Sequence, residues 1–222
     1  MNDDSESGVS DYTREAVLER DNQECWLCEN KAPTVLQVCH QIDSAASDAF
    51  TQFQLNGTIP SSVNNSAHRD NLITLCSNCH LHYDAAFPDW IFFPDIPTIE
   101  RYIQHEIQDY EARLLISKNP SRKIPARSLP TINRSTVLYY PAFLASYMPR
   151  HGSKWPKNWL GEPTTVIHRV ARRGLLESTP VRSPLGNKGW QRGVPAIFQM
   201  LIEELIRLWA RPPPNRERKP KV

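Results

Sequence analysis

No N-terminal apolar run is present: the opening segment MNDDSESGVSDYTRE is acidic and polar, which argues against a secretory leader. No stretch approaches the ~20 consecutive apolar residues that a membrane span needs. No internal repeat recurs along the chain, which excludes repeat arrays. These absences lead to the expectation of an intracellular protein, nuclear or cytoplasmic, with no membrane partner. Thiols in that setting stay reduced and bind metal more often than they form disulfides. Cysteine is sparse as well, five in 222 residues.

Four of the five form two Cys-x2-Cys pairs, Cys25–Trp–Leu–Cys28 and Cys76–Ser–Asn–Cys79, the second running straight into His80. Neither pair lies in a thioredoxin-like context, so a redox dithiol is disfavoured. Two such pairs in one chain point to a tetrahedral four-cysteine zinc site, because a tight turn can bring both sulfurs to ~2.3 Å from one ion. Four thiolates close the coordination sphere. The metal is then a staple, and any chemistry must lie beside it. Cys39 is left over.

Charge divides the chain. Residues 1–116 carry 6 Lys/Arg against 19 Asp/Glu, net −13, and residues 117–222 carry 20 against 5, net +15. Clusters at Arg122/Lys123, Arg169/Arg172/Arg173 and Arg216/Arg218/Lys219/Lys221 could neutralise phosphates without reading sequence, or serve as a nuclear-import tail or a solvated surface. Trp155, Trp159 and Trp190 interleave with these charges, either as base-stacking platforms or, the better fit, as core residues of a subdomain. Of the 19 prolines, 14 lie beyond residue 116, a composition that resists a compact core.

Local signals place a helix over Tyr12–Asp21, capped by Ser10 or Asp11. Leu36, Val38, His40 and Ile42 share one phase of a strand. Residues 44–68 read as an insertion with a short helix near 48–55. A second strand at 71–75 leads into a helix from Ser77 or Asn78, which Pro88 stops. Residues 89–94 form an aromatic strand. Ile99, Tyr102, Ile103, Ile107, Tyr110 and Leu114 mark the apolar face of a helix over 97–117. Pro195 opens a helix near 195–211.

Between the cysteine pairs lies Val38–Cys39–His40–Gln41–Ile42, and the second pair follows Asp70–Asn71–Leu72–Ile73–Thr74–Leu75. The pattern Cys-x2-Cys … His … Asn-Leu-Ile-x-Leu-Cys-x2-Cys-His resembles the HNH endonucleases, in the branch whose ββα-metal core is stapled by a four-cysteine zinc. The segment NLITLCSNCHLHYDAAFPDWIFFP is similar to HNH domains of uncharacterised fungal proteins. The resemblance spans roughly residues 14–113 and is specific over 70–94 and at the first cysteine pair.

It implies an α+β fold: a small zinc-stapled core with flanking helices at 11–117, after a disordered 1–10. A basic, Pro-rich, partly disordered region at 118–222 follows. It implies DNA as partner, no small-molecule cofactor, a structural Zn2+ at Cys25, Cys28, Cys76 and Cys79, and a second divalent ion (Mg2+, Mn2+, Ni2+ or Zn2+) for catalysis. His40 matches the general base, Asn71 the asparagine that orients it, and His80 the ligand of the second ion. Asp84, four residues on, shares a helical face with His80; His82 projects away. Cys39 departs from the pattern, since an acidic residue or a histidine commonly precedes the base and binds the ion. A thiolate there is a soft ligand that favours zinc over magnesium, and Asp43 joins Asp84 as an alternative carboxylate. Arg122, Lys123, Arg169, Arg172 and Arg173 are the expected DNA contacts. The same scaffold without the second ion would be an inert zinc module that binds nucleic acid or protein.

Overall fold

The computed structural model describes residues 8–119, 121–144, 155–172 and 194–214. Arg173, Trp190, the cluster at 216–221 and most of the expected disordered N-terminus lie outside them. Helix α1 (Asp11–Arg20) is capped by Ser10, whose Oγ accepts from the Thr13 N–H at 3.2 Å. Its C-terminus closes in a Schellman turn: Gln23 N donates to Leu18 O at 2.7 Å and Asn22 N to Glu19 O at 3.0 Å, with Asn22 at φ 57°. That turn delivers the chain into the first cysteine pair.

Strands β1 (Leu36–His40) and β2 (Leu72–Cys76) pair antiparallel, from Leu36 opposite Cys76 to His40 opposite Leu72. Between them, α2 (Ser47–Leu55) buries Phe50 against Ile42, Ile59 and Val63, a small core of its own. Helix α3 (Ser77–Asp84) starts directly at the end of β2, so a ββα unit is formed across the insertion. Asp21 ties α1 to this unit, its carboxylate accepting from the Thr74 N–H at 2.8 Å.

Strand β3 (Trp90–Pro94) is buried on both faces. Trp90 and Phe92 pack with Cys76, Cys79, Tyr83 and Trp159; Ile91 and Phe93 face a second core with Ile99, Ile167, Ile202 and Leu205. Period-two alternation thus serves two cores from one strand. Helix α4 (Ile96–Ser117) follows, capped by Asp95, whose Oδ1 accepts from Thr98 N at 3.1 Å. Its buried face differs from the expected stripe: Ile107 and Leu114 are exposed, while Glu106 and Arg113 are buried. The spacing 99, 102, 106, 113 follows the helical repeat, and ion pairs make its polar positions tolerable inside.

The described part of 118–222 is no appendage. Strand β4 (Leu138–Phe143) pairs antiparallel with β3, β5 (Lys157–Asn158) pairs with β4, and α5 (Pro163–Arg172) and α6 (Ala196–Trp209) complete the second core. Trp159 is buried in the first core and Trp155 packs against it, so both are structural. Proline density misleads here because Pro163 and Pro195 start helices and Pro141 sits in β4 opposite Phe92 of β3, past the Leu138–Tyr139 stretch that β5 pairs on the other edge.

His168 of α5 is stacked between Phe53 (3.7 Å) and Trp209 (5.0 Å) and shares a 3.0 Å hydrogen bond with Thr58 Oγ1. Burial drives its pKa down from 6.5 to about 3. The unfolded chain therefore takes up a proton below 6.5 that the folded chain refuses until about 3, so this residue costs stability as pH falls through that window. In urea titrations, His168→Gln should flatten the acid limb by up to ~1.4 kcal/mol per pH unit; an unchanged slope would contradict it.

Candidate functional site

The first cysteine pair occupies a tight loop in which Cys25 N donates to Asn30 O at 2.9 Å and Glu29 N to Cys25 O at 2.8 Å, with Glu29 at φ 60°. The second uses the helix start: Cys76 is the N-cap of α3 and Cys79 lies in its first turn. In each pair the first sulfur accepts from the backbone N–H of the second cysteine. The four Sγ atoms lie within 4.8 Å of one another, with Cys28 and Cys76 at 3.6 Å. A tetrahedron on ~2.3 Å metal–sulfur bonds has edges of about 3.8 Å, so the group can hold a metal ion such as zinc. Hydrogen bonding from Cys25 pulls the Cys28 thiol down to about 7 and lowers that of Cys76, while the bonds shared within the group raise Cys25 and Cys79, so without an ion the proton is held by half of the quartet; a bound metal requires all four as thiolates.

Trp26, inside the first pair, anchors this loop to the second half of the chain. Its indole donates to Asn158 O at 3.0 Å, its ring lies 4.5 Å from Phe92 and 4.9 Å from Trp155, and Lys157 Nζ reaches its carbonyl at 3.1 Å.

At the far end of the hairpin stand the polar residues. Asn71 is fully buried and bridges two segments: its Nδ2 donates to Ile42 O (3.0 Å) and Ser66 O (2.7 Å), and its Oδ1 accepts from Ile42 N (3.0 Å). Its own carbonyl accepts from Gln41 N at 2.7 Å. The backbone leaving His40 is thereby fixed. On α3, His80 Nε2 meets Asp84 Oδ2 at 2.6 Å, and His80 Nδ1 meets Gln37 Oε1 of β1 at 2.7 Å.

Arg169 closes the arrangement from α5. It donates to His40 O (3.0 Å), Gln41 O (3.2 Å), Tyr83 O (2.7 Å) and Asp84 Oδ1 (2.7 Å), and its Cζ lies 3.6 Å from the centre of the Tyr83 ring. Asp43 stands 3.8 Å from it. The Tyr83 hydroxyl in turn donates to Gln41 Oε1.

The electrostatics separate two groups. Burial alone would raise the Asp84 carboxyl, but the His80 hydrogen bond and the Arg169 charge overrule it and hold it at about 2. Burial pushes His40 below its ordinary 6.5, against the pull of Asp43 and Asp84, and its Nε2 is buried without a hydrogen-bond partner. His40 is therefore neutral near pH 7 with one ring nitrogen unspent.

Two expectations require correction. Arg169 is 3 % exposed and belongs to the polar site, not to a surface patch; Arg172, Arg122 and Lys123 are exposed. Cys39 does not gather with His80 and Asp84: among the described residues, the cysteine quartet is the group whose ligand atoms converge. Its thiol bonds Gln37 O at 3.7 Å within the first core, and burial holds it protonated. His82 is partly exposed and pairs with Asp89. Arg169, Gln37 and Tyr83 are participants that motif reading passes over. The signal for Arg169 was available: it falls three residues after Val166 in an apolar helical repeat, a cation on a buried face.

Replacing Arg169 by Met should destabilise the fold by about 3 kcal/mol in urea unfolding, because three carbonyls and one carboxylate lose their shared donor; a loss under ~1 kcal/mol would deny it this role. Elemental analysis should find one tightly bound metal ion per parent chain and none in Cys79→Ser; a parent chain without metal would deny the quartet this role. Set beside known proteins, the chain matches no family model, no curated protein and no solved structure, so the meaning of the site rests on its own residues.

Proposed function

We propose that this chain is a metal-dependent endonuclease of the HNH type that hydrolyses phosphodiester bonds in DNA. The observation that carries the reading is His40: neutral, with a buried unpartnered Nε2, fixed through Asn71 and Arg169 beside the His80–Asp84 pair. In this reading His40 accepts the proton of the attacking water at Nε2. Asn71 and Arg169 are positioning residues that hold the backbone leaving the base, from His40 O to Ile42. His80 and Asp84 offer an imidazole nitrogen and an ionised carboxylate, a donor pair suited to a divalent cation. Such an ion, when bound, offsets charge on the phosphate and the leaving oxygen. The four thiols would hold zinc as a closed staple. Exposed Arg122, Lys123 and Arg172 supply phosphate-neutralising charge.

One observation favours a second reading, an inert zinc module for nucleic acid or protein. His80 is held by Gln37 and Asp84, Asp84 is also held by Arg169, and Cys39 is withdrawn into the core. A site with two donors binds magnesium weakly.

Plasmid nicking by the purified chain across Mg2+, Mn2+, Ni2+ and Zn2+, beside His40→Ala, separates the two. Ion-dependent nicking that falls ~10²–10⁴-fold in the variant supports the nuclease. Unchanged nicking in the variant removes His40 as base, and no nicking by folded, metal-loaded protein leaves the inert module. The pH profile gives a second test. The base works unprotonated, so the rate should fall with acid only below pH 6.5, the ordinary histidine value from which His40 is lowered; an acid limb above 6.5 would contradict the burial argument.

A further inference from the structure

Away from His40, a cleft of about 730 Å3 opens between the end of α2, the 125–129 segment and the end of α6. Its charged lining residues are Arg113, Arg127 and Arg211; among the described residues no Asp or Glu lines it. Behind them sits Glu106, 1 % exposed, with Arg127 Nε at 3.0 Å and Arg113 and Arg211 each at 3.6 Å. Asp109 holds Arg113 Nε at 2.7 Å. Three guanidiniums face two carboxylates, which leaves this cluster one positive charge in excess. Burial also pushes the Glu106 carboxyl up against the pull of its arginines.

Trp209 forms one wall. It is 6 % exposed. The walls are stiff. Gly57, at φ +69°, lets the loop after α2 lie against Arg127, where a Cβ would meet the Arg127 side chain at 3.1 Å. Arg127 spans the cleft floor by donating to Asn56 O (2.8 Å) and Trp209 O (3.0 Å).

We propose that this cleft binds a phosphate monoester of nucleotide size. Arginine forks match phosphate oxygens and favour a doubly charged anion. The volume falls in the range of small-ligand sites, ~300–1,000 Å3. Leu55, at the cleft edge and exposed, offers apolar surface to the rest of the ligand. None of these groups belongs to the His40 site, so the two readings stand or fall separately.

Calorimetric titration of the full chain with AMP, adenosine and a short single-stranded DNA tests it. AMP should bind saturably and adenosine should not. Arg211→Gln, at a side chain 26 % exposed, and Leu55→Glu, which sets a carboxylate at the exposed cleft edge, should each weaken AMP at least about tenfold. His40→Ala should leave AMP binding unchanged. Thermal unfolding of each variant separates lost binding from lost fold. Absence of saturable AMP binding, equal binding of adenosine, or indifference to both cleft variants would overturn the proposal. DNA binding lost in Arg211→Gln, with none for AMP, would also overturn it and make the cleft a contact for backbone phosphates.

Discussion

One buried guanidinium holds the polar site together. Taking Arg169 out of water costs several kcal/mol, and the charge is offset by four acceptors and the face of Tyr83. Those acceptors belong to the end of β1, the residue after it and the end of α3. The two ends of the hairpin are therefore secured by different physics. Cys76, opposite Leu36, belongs to the thiol cluster, whereas His40, opposite Leu72, is gripped from α5. A metal at the thiols would stiffen the first end and say little about the second.

The two halves of the chain are inseparable for a related reason. Strand β3 gives one face to the core around the cysteines and the other to the core beneath α5 and α6. Without β4 and the two helices, both edges and one apolar face of β3 would meet water, and Trp26 would lose its clamp on Asn158. The acidic half carries the chemistry-bearing motif, but the basic half supplies its walls. The net charge of the basic half overstates what its surface carries, because Arg134 and Arg169 spend theirs on carboxylates and carbonyls inside the fold.

What the sequence made legible was local. The Ser10 cap, the paired cysteines, the strand–strand–helix order around His40 and Asn71, and the helix at 196–209 each rest on residues a few positions apart. What stayed hidden was set by distant partners. Nothing near Arg169 announces that four acceptors from β1 and α3 await it. Glu106 and Arg113 break the apolar pattern of α4 because Arg127 and Arg211, far along the chain, neutralise them. The density of proline past residue 116 argues on composition against a compact core, yet Pro163, like the legible Pro195, occupies a helix start, where a missing N–H costs nothing. Cys39 was assigned to an ion by its neighbour in the motif, and strand alternation instead turns it toward Cys76 and Tyr83.

What sets His40 apart from a structural histidine is a buried ring nitrogen that no group of the fold bonds. Its neutral state and the ionised state of Asp84 are the ordinary ones at neutral pH, and burial of the one, with the His80 and Arg169 contacts of the other, deepens them. A scaffold with no use for the imidazole would gain by replacing it, since a buried nitrogen without a partner costs ~1–3 kcal/mol and an apolar side chain in β1 would cost less. Asn71 points the same way. Its side chain spends two hydrogen bonds on Ile42, two residues past His40, and a third on Ser66, which ties the segment leaving β1 to the one entering β2 and so fixes the direction of the ring.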